Sequence, residues 1–316
     1  MRTGHSLLAV LLALAGAQAL AGPMAFVTNQ GPDTVSVVDL GQHKAVATIP
    51  VGKDPAGVAH DRLGRSVFVS NASNRSVSVI DVSTLHETSR IATGENPLAI
   101  AADPVRDRVY VADFYERRIE YFDTRSGAKL GEFATGNTPA GLAVSRDGMQ
   151  LVVANRDDDA LQFIDLATGA ARGKLAVGRH PFGLTFTADG QRLYAANVQS
   201  DDVSEVDPKT MQELRRIGVG ETPYASALDE ARGLLFVTNQ QGGTVSVVDL
   251  AQGRELTRIT VGEYPEGIAY SRSRDRVYVA SWFDNALFEI DPAARKVLGR
   301  VACQDGSRAY GQFIVE

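Results

Sequence analysis

One spacing governs this sequence, a period of 42 residues. Proline falls at Pro55, Pro97, Pro139, Pro181, Pro223 and Pro265. Aspartate keeps step at Asp39, Asp81, Asp123, Asp165, Asp207, Asp249 and Asp291, and glycine at Gly52, Gly94, Gly136, Gly178, Gly220 and Gly262. The residue opening the first apolar run of each copy follows suit: Phe26, Phe68, Tyr110, Val152, Tyr194, Phe236, Tyr278. No insertion interrupts the series. A fixed period of this size means that each copy is one supersecondary unit burying its apolar faces against its neighbours. Seven periods fill the stretch from Pro23 to Glu316, so one closed domain over residues 22–316 is expected.

Each copy holds four strand-like runs. In the second they are Pro55–His60, Ser66–Ser70, Ser76–Asp81 and Glu87–Thr93, rich in Val, Ile, Ser and Thr and punctuated by Gly, Asn, Asp and Pro. No window carries a 3.6-residue apolar stripe, so an all-β chain is predicted. The third run is apolar on both sides, with Val77 and Val79 on one and Ile80 on the other, as stacked sheets require. Four antiparallel strands repeated seven times predict a seven-bladed β-propeller, whose closed ring leaves no sheet edge open. Ala25–Asn29 starts in mid-repeat, and the extra run Tyr310–Val315 is expected to supply the missing innermost strand of that blade. Two residues after each repeated proline stands Gly57, Ala99, Gly141, Gly183, Ala225 or Gly267, which reads as a packing demand near the axis.

Residues 1–21 read as a secretory signal peptide. Arg2 gives the positive start, Leu7 to Leu14 the apolar centre, and Ala17-Gln18-Ala19 or Ala19-Leu20-Ala21 the cleavage pattern. No cysteine follows to carry a lipid anchor, and no later run nears the about 18 apolar residues of a membrane helix. A periplasmic location is expected, with secretion or cell-surface display as the alternatives. The formal charge of −6 disfavours nucleic acid and anionic membranes as partners. With a single cysteine, Cys303, no intrachain disulfide is possible, and without CxxCH no covalent c-type haem.

The tetrads Phe26-Val27-Thr28-Asn29, Phe236-Val237-Thr238-Asn239 and Tyr110-Val111-Ala112-Asp113, each followed by a TVSVVD-like run and a VGxxPxG, resemble the YVTN-family β-propeller repeats. The resemblance covers residue 25 to about residue 303, and Tyr310-Gly311-Gln312-Phe313-Ile314 is similar to the close of exported bacterial members. It implies the propeller fold. For function it implies a range: surface-layer proteins, periplasmic proteins and partners of redox systems.

A repeated position serves the fold; a copy that departs from its siblings is freer to serve function. On the face formed by the GxxP loops and the loops after Asn29, Asn71 and their equivalents, three departures stand out. They are Phe114 and Tyr115 with Arg117, then Arg179, His180 and Phe182, then Trp282 and Phe283. Tyr224, Tyr264 and Glu266 hold corresponding places in the next junctions. Together they predict an aromatic, mixed-charge rim at one channel mouth, fit to bind a periplasmic protein or a small organic ligand. His180 is the one candidate for metal or haem ligation. The spacing supplies no set of three or four ligands, so neither metal nor cofactor is expected. Glu205 and Glu289 replace apolar siblings and need local partners if buried. Cys303 reads either as a reactive thiol or as a small buried hydrophobe.

No GxSxG, HExxH, Walker A or dinucleotide fingerprint is present. The favoured reading is an exported, monomeric, non-catalytic binding or scaffold propeller. The alternatives are an accessory of a periplasmic redox enzyme of quinoprotein or d1-haem type, a lactonase-like hydrolase, and a single-stranded nucleic-acid binder. The mouth-facing acids Glu95, Glu221, Glu263 and Glu266 are scattered around the ring, which argues against the hydrolase.

Overall fold

The structure, a computed structural model, describes residues 22–316; the predicted signal peptide lies outside them. The chain forms seven four-stranded antiparallel blades, one gaining a fifth strand. The second blade runs from its inner strand Pro55–His60 through Ser66–Asn71 and Ser76–Asp81 to the outer His86–Ala92. The others repeat this order, the seventh starting at Pro265–Ser271 and ending at Lys296–Ala302. The one helical turn among the described residues is Arg156–Asp158.

The repeated residues hold the ring. Phe26, Phe68, Tyr110, Val152, Tyr194, Phe236 and Tyr278 are buried between blades, as are Val77, Val79 and Ile80. Each such aromatic contributes about 2 kcal/mol by leaving water. The Asn that ends the second strand reaches both ways: Asn71 Oδ1 accepts from Gly52 N at 3.1 Å, and its Nδ2 donates to Ser76 and Ser78 hydroxyls at 3.0 Å. The repeated Asp caps a turn, Asp39 Oδ1 accepting from the Gly41 and Gln42 amides at 2.8 Å.

The small residues after proline answer a contact between neighbours rather than crowding across the axis. A Cβ on Gly57 would lie 2.5 Å from the Leu98 carbonyl oxygen of the next inner strand, and one on Gly141 would collide with that of Phe182. Hydroxyls tie the same neighbours, Ser70 donating to Leu98 O at 2.6 Å and Thr238 to Glu266 O at 2.9 Å.

Ring closure divides the last run. Ile314–Val315 pairs antiparallel with Met24–Asn29 and completes the first blade, Phe26 N donating to Phe313 O at 2.8 Å. Tyr310–Gly311 instead lies parallel to Pro55–His60, on its axial edge. Gly311, at φ 105°, provides the bend between the two. Only the second half of Tyr310–Val315 therefore acts as the expected inner strand. The first half enters the channel.

Candidate functional site

The two ends of the channel differ. At the GxxP end the segment from Gln304 to Tyr310 crosses the axis and seals it. Arg308 donates to Glu266 through Nε, and through Nη2 at 3.0 Å; Nη2 also meets the Tyr224 hydroxyl at 3.1 Å. Its guanidinium sits 4.6 Å over the Trp282 ring. Gln240 Nε2 donates to Glu266 at 2.7 Å, and Glu266 is 1% exposed. Burial opposes the Arg308 charge, but Glu266 and Tyr224 together outweigh it and hold the guanidinium above its ordinary pKa. Below this pair Phe182 and Tyr224 stack at 4.2 Å, and Tyr310 meets both edge-on, at 5.1 and 5.7 Å. Burial, then the Glu266 charge, pushes the Tyr224 phenol well above its usual value.

The expected rim is thereby split. Phe182, Tyr224 and Glu266 are not on the rim but in the plug, because the inner-strand residue after proline turns toward the axis that the closing segment fills. Replacing Phe182 along with surface aromatics would disturb the core, not a surface. Tyr264, Trp282 and Phe283 form one aromatic cluster, with Trp282 and Phe283 stacked at 5.4 Å. Phe114 and Tyr115 form another, at 5.0 Å, on the third blade across the ring. Tyr115 is 68% and Phe283 58% exposed. Arg117 and Arg179 are exposed on the same face.

His180 occupies a left-handed slot, φ 53°, shared by Asp54, Thr138, Thr222 and Tyr264. Its amide donates to Asp159 Oδ1 at 2.8 Å, as Thr222 N donates to Asp201 at 2.9 Å. That position is therefore part of the repeat. The ring has one carboxylate near it, Asp157 at 4.0 Å, and its buried Nδ1 has no partner among the described residues. Asp157, Asp158 and Asp159 are engaged by Thr138, Asn137 and the His180 amide. Among the described residues no group of three His, Cys, Asp or Glu is placed to hold a metal.

Glu205 and Glu289 are buried and locally partnered. Arg215 and Arg192 hold Glu205, the second at 3.2 Å; His43 at 2.8 Å and Arg276 at 3.5 Å hold Glu289. The register explains them. Tyr194 lies opposite Glu205 and Tyr278 opposite Glu289, whereas Phe26, Phe68 and Phe236 face Val37, Val79 and Val247. A phenol in the second strand goes with a polar group in the third. Burial, then the neighbouring carboxylate, pushes each of these two phenols up to about 12.

Burial also pushes the Cys303 thiol up to about 11. The folded protein is therefore expected to react with iodoacetamide at pH 8 roughly a hundredfold more slowly than the unfolded chain, whose thiol titrates near 8.5. Equal rates would identify a reactive cysteine.

The opposite end of the channel is open. A funnel of about 430 Å³ lies on the face formed by the turns between the first and second strands. Ile100, Leu142, Val144, Leu184, Phe186, Leu228 and Ile268 make its wall, and Tyr310 is its floor. His60, Arg146, Thr187, Glu230, Arg272 and Glu316 stand around the lip. The predicted face was the other one; the apolar lining comes from the fourth and sixth residues of the inner strands, a pattern not singled out from the sequence. Volume and lining fall in the range of small-molecule pockets.

Fold and funnel define a class: a seven-bladed β-propeller plugged at one end and concave at the other. A family model described as Lactonase, 7-bladed beta-propeller, matches residues 115–218, from the third blade to the end of the fifth. No curated protein matches significantly. Among solved structures, hydrazine synthase of Kuenenia stuttgartiensis superposes with TM-score 0.77 at 21% identity, over 86% of this chain and 93% of that one. A protein of unknown function from Desulfotomaculum acetoxidans gives 0.80 at 14% identity, over 92% and 99%. The dihydro-heme d1 dehydrogenase NirN, in complex with DHE, gives 0.68 at 17%, over 90% and 64%. At these identities the likeness is one of fold. No helix among the described residues is long and apolar enough to cross a membrane.

Proposed function

We propose that this chain is an exported binding propeller of the YVTN type that takes one small, largely apolar organic molecule into the funnel. The observation carrying this reading is the 430 Å³ concavity with a mostly apolar wall, interrupted by Thr185 and Ser226, and an aromatic floor. The closing segment fills the axis at the other end, whereas this end is left as a concavity of ligand size. The test is fluorescence titration with phenylnaphthylamine, a neutral apolar dye, on the wild type and on Leu228→Trp, which fills the wall. Saturable one-to-one binding by the wild type, weakened at least tenfold in a Leu228→Trp protein of unchanged melting, is expected. No binding to the wild type, or equal binding to both, would remove the funnel from consideration. Native mass spectrometry of protein drawn from its own periplasm should show the resident molecule as added mass, and any redox-enzyme partner as a co-purifying protein.

Two other readings have observations of their own. The match over residues 115–218 favours lactone hydrolysis. The base at the lip would be His60, outside the matched stretch, whose Nδ1 is bonded to the Asp61 carbonyl at 2.8 Å and whose Nε2 is left for the reaction. Hydrolysis of an aliphatic lactone that survives His60→Gln would exclude that role. The exposure of Tyr115 and Phe283 favours a partner-protein contact on the plugged face, extending to Arg117 and Arg179.

A further inference from the structure

The charges around the funnel are almost all spent. Glu230 accepts from the Ala188 amide and pairs with Arg272 at 3.2 Å. Glu316 accepts from the Arg272 amide at 2.8 Å and from the Ser273 hydroxyl. Asp147, adjacent to Arg146, is turned to its own loop, accepting from Ser145 Oγ at 2.6 Å and Met149 N at 3.0 Å. Arg146 alone among the described charged residues lining the funnel has neither an ion pair nor a hydrogen bond. The floor offers a second open group. Tyr310 is 8% exposed, and its hydroxyl has no hydrogen-bond partner among the described residues. Burial raises its pKa, so it stays protonated and can donate. Facing the open cavity, that hydroxyl is free to donate to an acceptor on a bound molecule.

We propose that the ligand of this funnel is an amphipathic monoanion: a carboxylate or like anion held by Arg146 at the lip, an apolar body along the wall, and a carbonyl-type oxygen at the inner end accepting from Tyr310. This rests on the funnel reading and specifies its chemistry. A neutral apolar molecule would use neither group, leaving exposed Arg146 to water. A cation would meet an unpaired guanidinium, while the acids opposite are already committed. A dianion would find only one free cation at the described lip.

The test is displacement of phenylnaphthylamine by three ligands of one chain length: decanol, decanoate, and a keto-decanoate carrying its carbonyl near the far end. Decanoate is expected to displace the dye at about tenfold lower concentration than decanol, as a charge-assisted hydrogen bond implies. The keto acid should act several-fold lower still. Arg146→Gln should bring decanoate to the level of decanol and leave decanol unchanged. Tyr310→Phe should erase the advantage of the keto acid alone. If phenylnaphthylamine itself does not bind, the funnel reading fails and this inference with it. If the dye binds but decanol and decanoate compete equally, or Arg146→Gln weakens both alike, the funnel stands and the anion assignment is overturned. Should Tyr310→Phe melt below the wild type, its unchanged affinity for decanol serves as the control for an intact site.

Discussion

Replacing Glu266 by alanine is expected to cost about 3–5 kcal/mol of folding stability, because it strands the Arg308 guanidinium inside the ring. Glu266 is nearly sealed from solvent, and Arg308 makes its charged contacts to this residue alone. The remaining neighbours, Tyr224 and Trp282, offer a hydroxyl and a ring face but no counter-charge. Desolvating an ion is tolerable only when its partner is in place. The double variant Glu266→Gln with Arg308→Met removes both charges and keeps an amide for Gln240. It should recover most of the loss. Urea unfolding of the wild type, Glu266→Gln, Arg308→Met and the double closes the cycle, with Glu266→Ala measured beside them. A single-variant cost below about 1 kcal/mol would mean that water reaches the pair, and that the plug is not a seal.

Gly141→Val is the second large effect. The atom that a Cβ would strike is a backbone carbonyl, Phe182 O, belonging to the next inner strand. A flexible side chain could swing away; a strand bonded within its own blade cannot. The fourth and fifth blades would have to part, and the ring admits no local widening without strain at its closure. A loss of about 3 kcal/mol or more is expected, at the upper end of overpacking effects. Gly218→Ala is the control. No atom lies within 4 Å of a Cβ there, so stability should hold or rise by about 0.5 kcal/mol through the unfolded chain. Thermal melting of the two variants decides the matter. Equal melting for Gly141→Val and the wild type would refute the neighbour-contact account of the repeated small residues.

The fold was legible because its constraint is periodic. Val77, Val79 and Ile80 announce burial on both faces, Gly and Pro mark the turns, and the count of copies sets the number of blades. That Glu205 and Glu289 depart from their apolar siblings was legible; that they face Tyr194 and Tyr278 came from the strand register. His180 stood out by type, yet its place belongs to the repeat, and only its ring is particular to this copy.

The site was less legible for a definite reason. Divergence from the repeat marks residues released from one role without saying which new one they take. Phe182, Tyr224 and Glu266 diverge because they accommodate the closing segment, and Tyr115 and Phe283 diverge on open surface. In the amino-acid order these two groups look alike.

Period, strand pattern and closing run thus dictate the seven blades, since every copy must bury its faces on the next. Which mouth of the channel is open depends on the path of Arg308 to Tyr310, held by Glu266 more than forty residues away and by the edge of Pro55–His60 at the other end of the chain. Contacts of that range follow no local period, and the funnel, with Arg146 unpaired at its lip, exists only once the ring has closed.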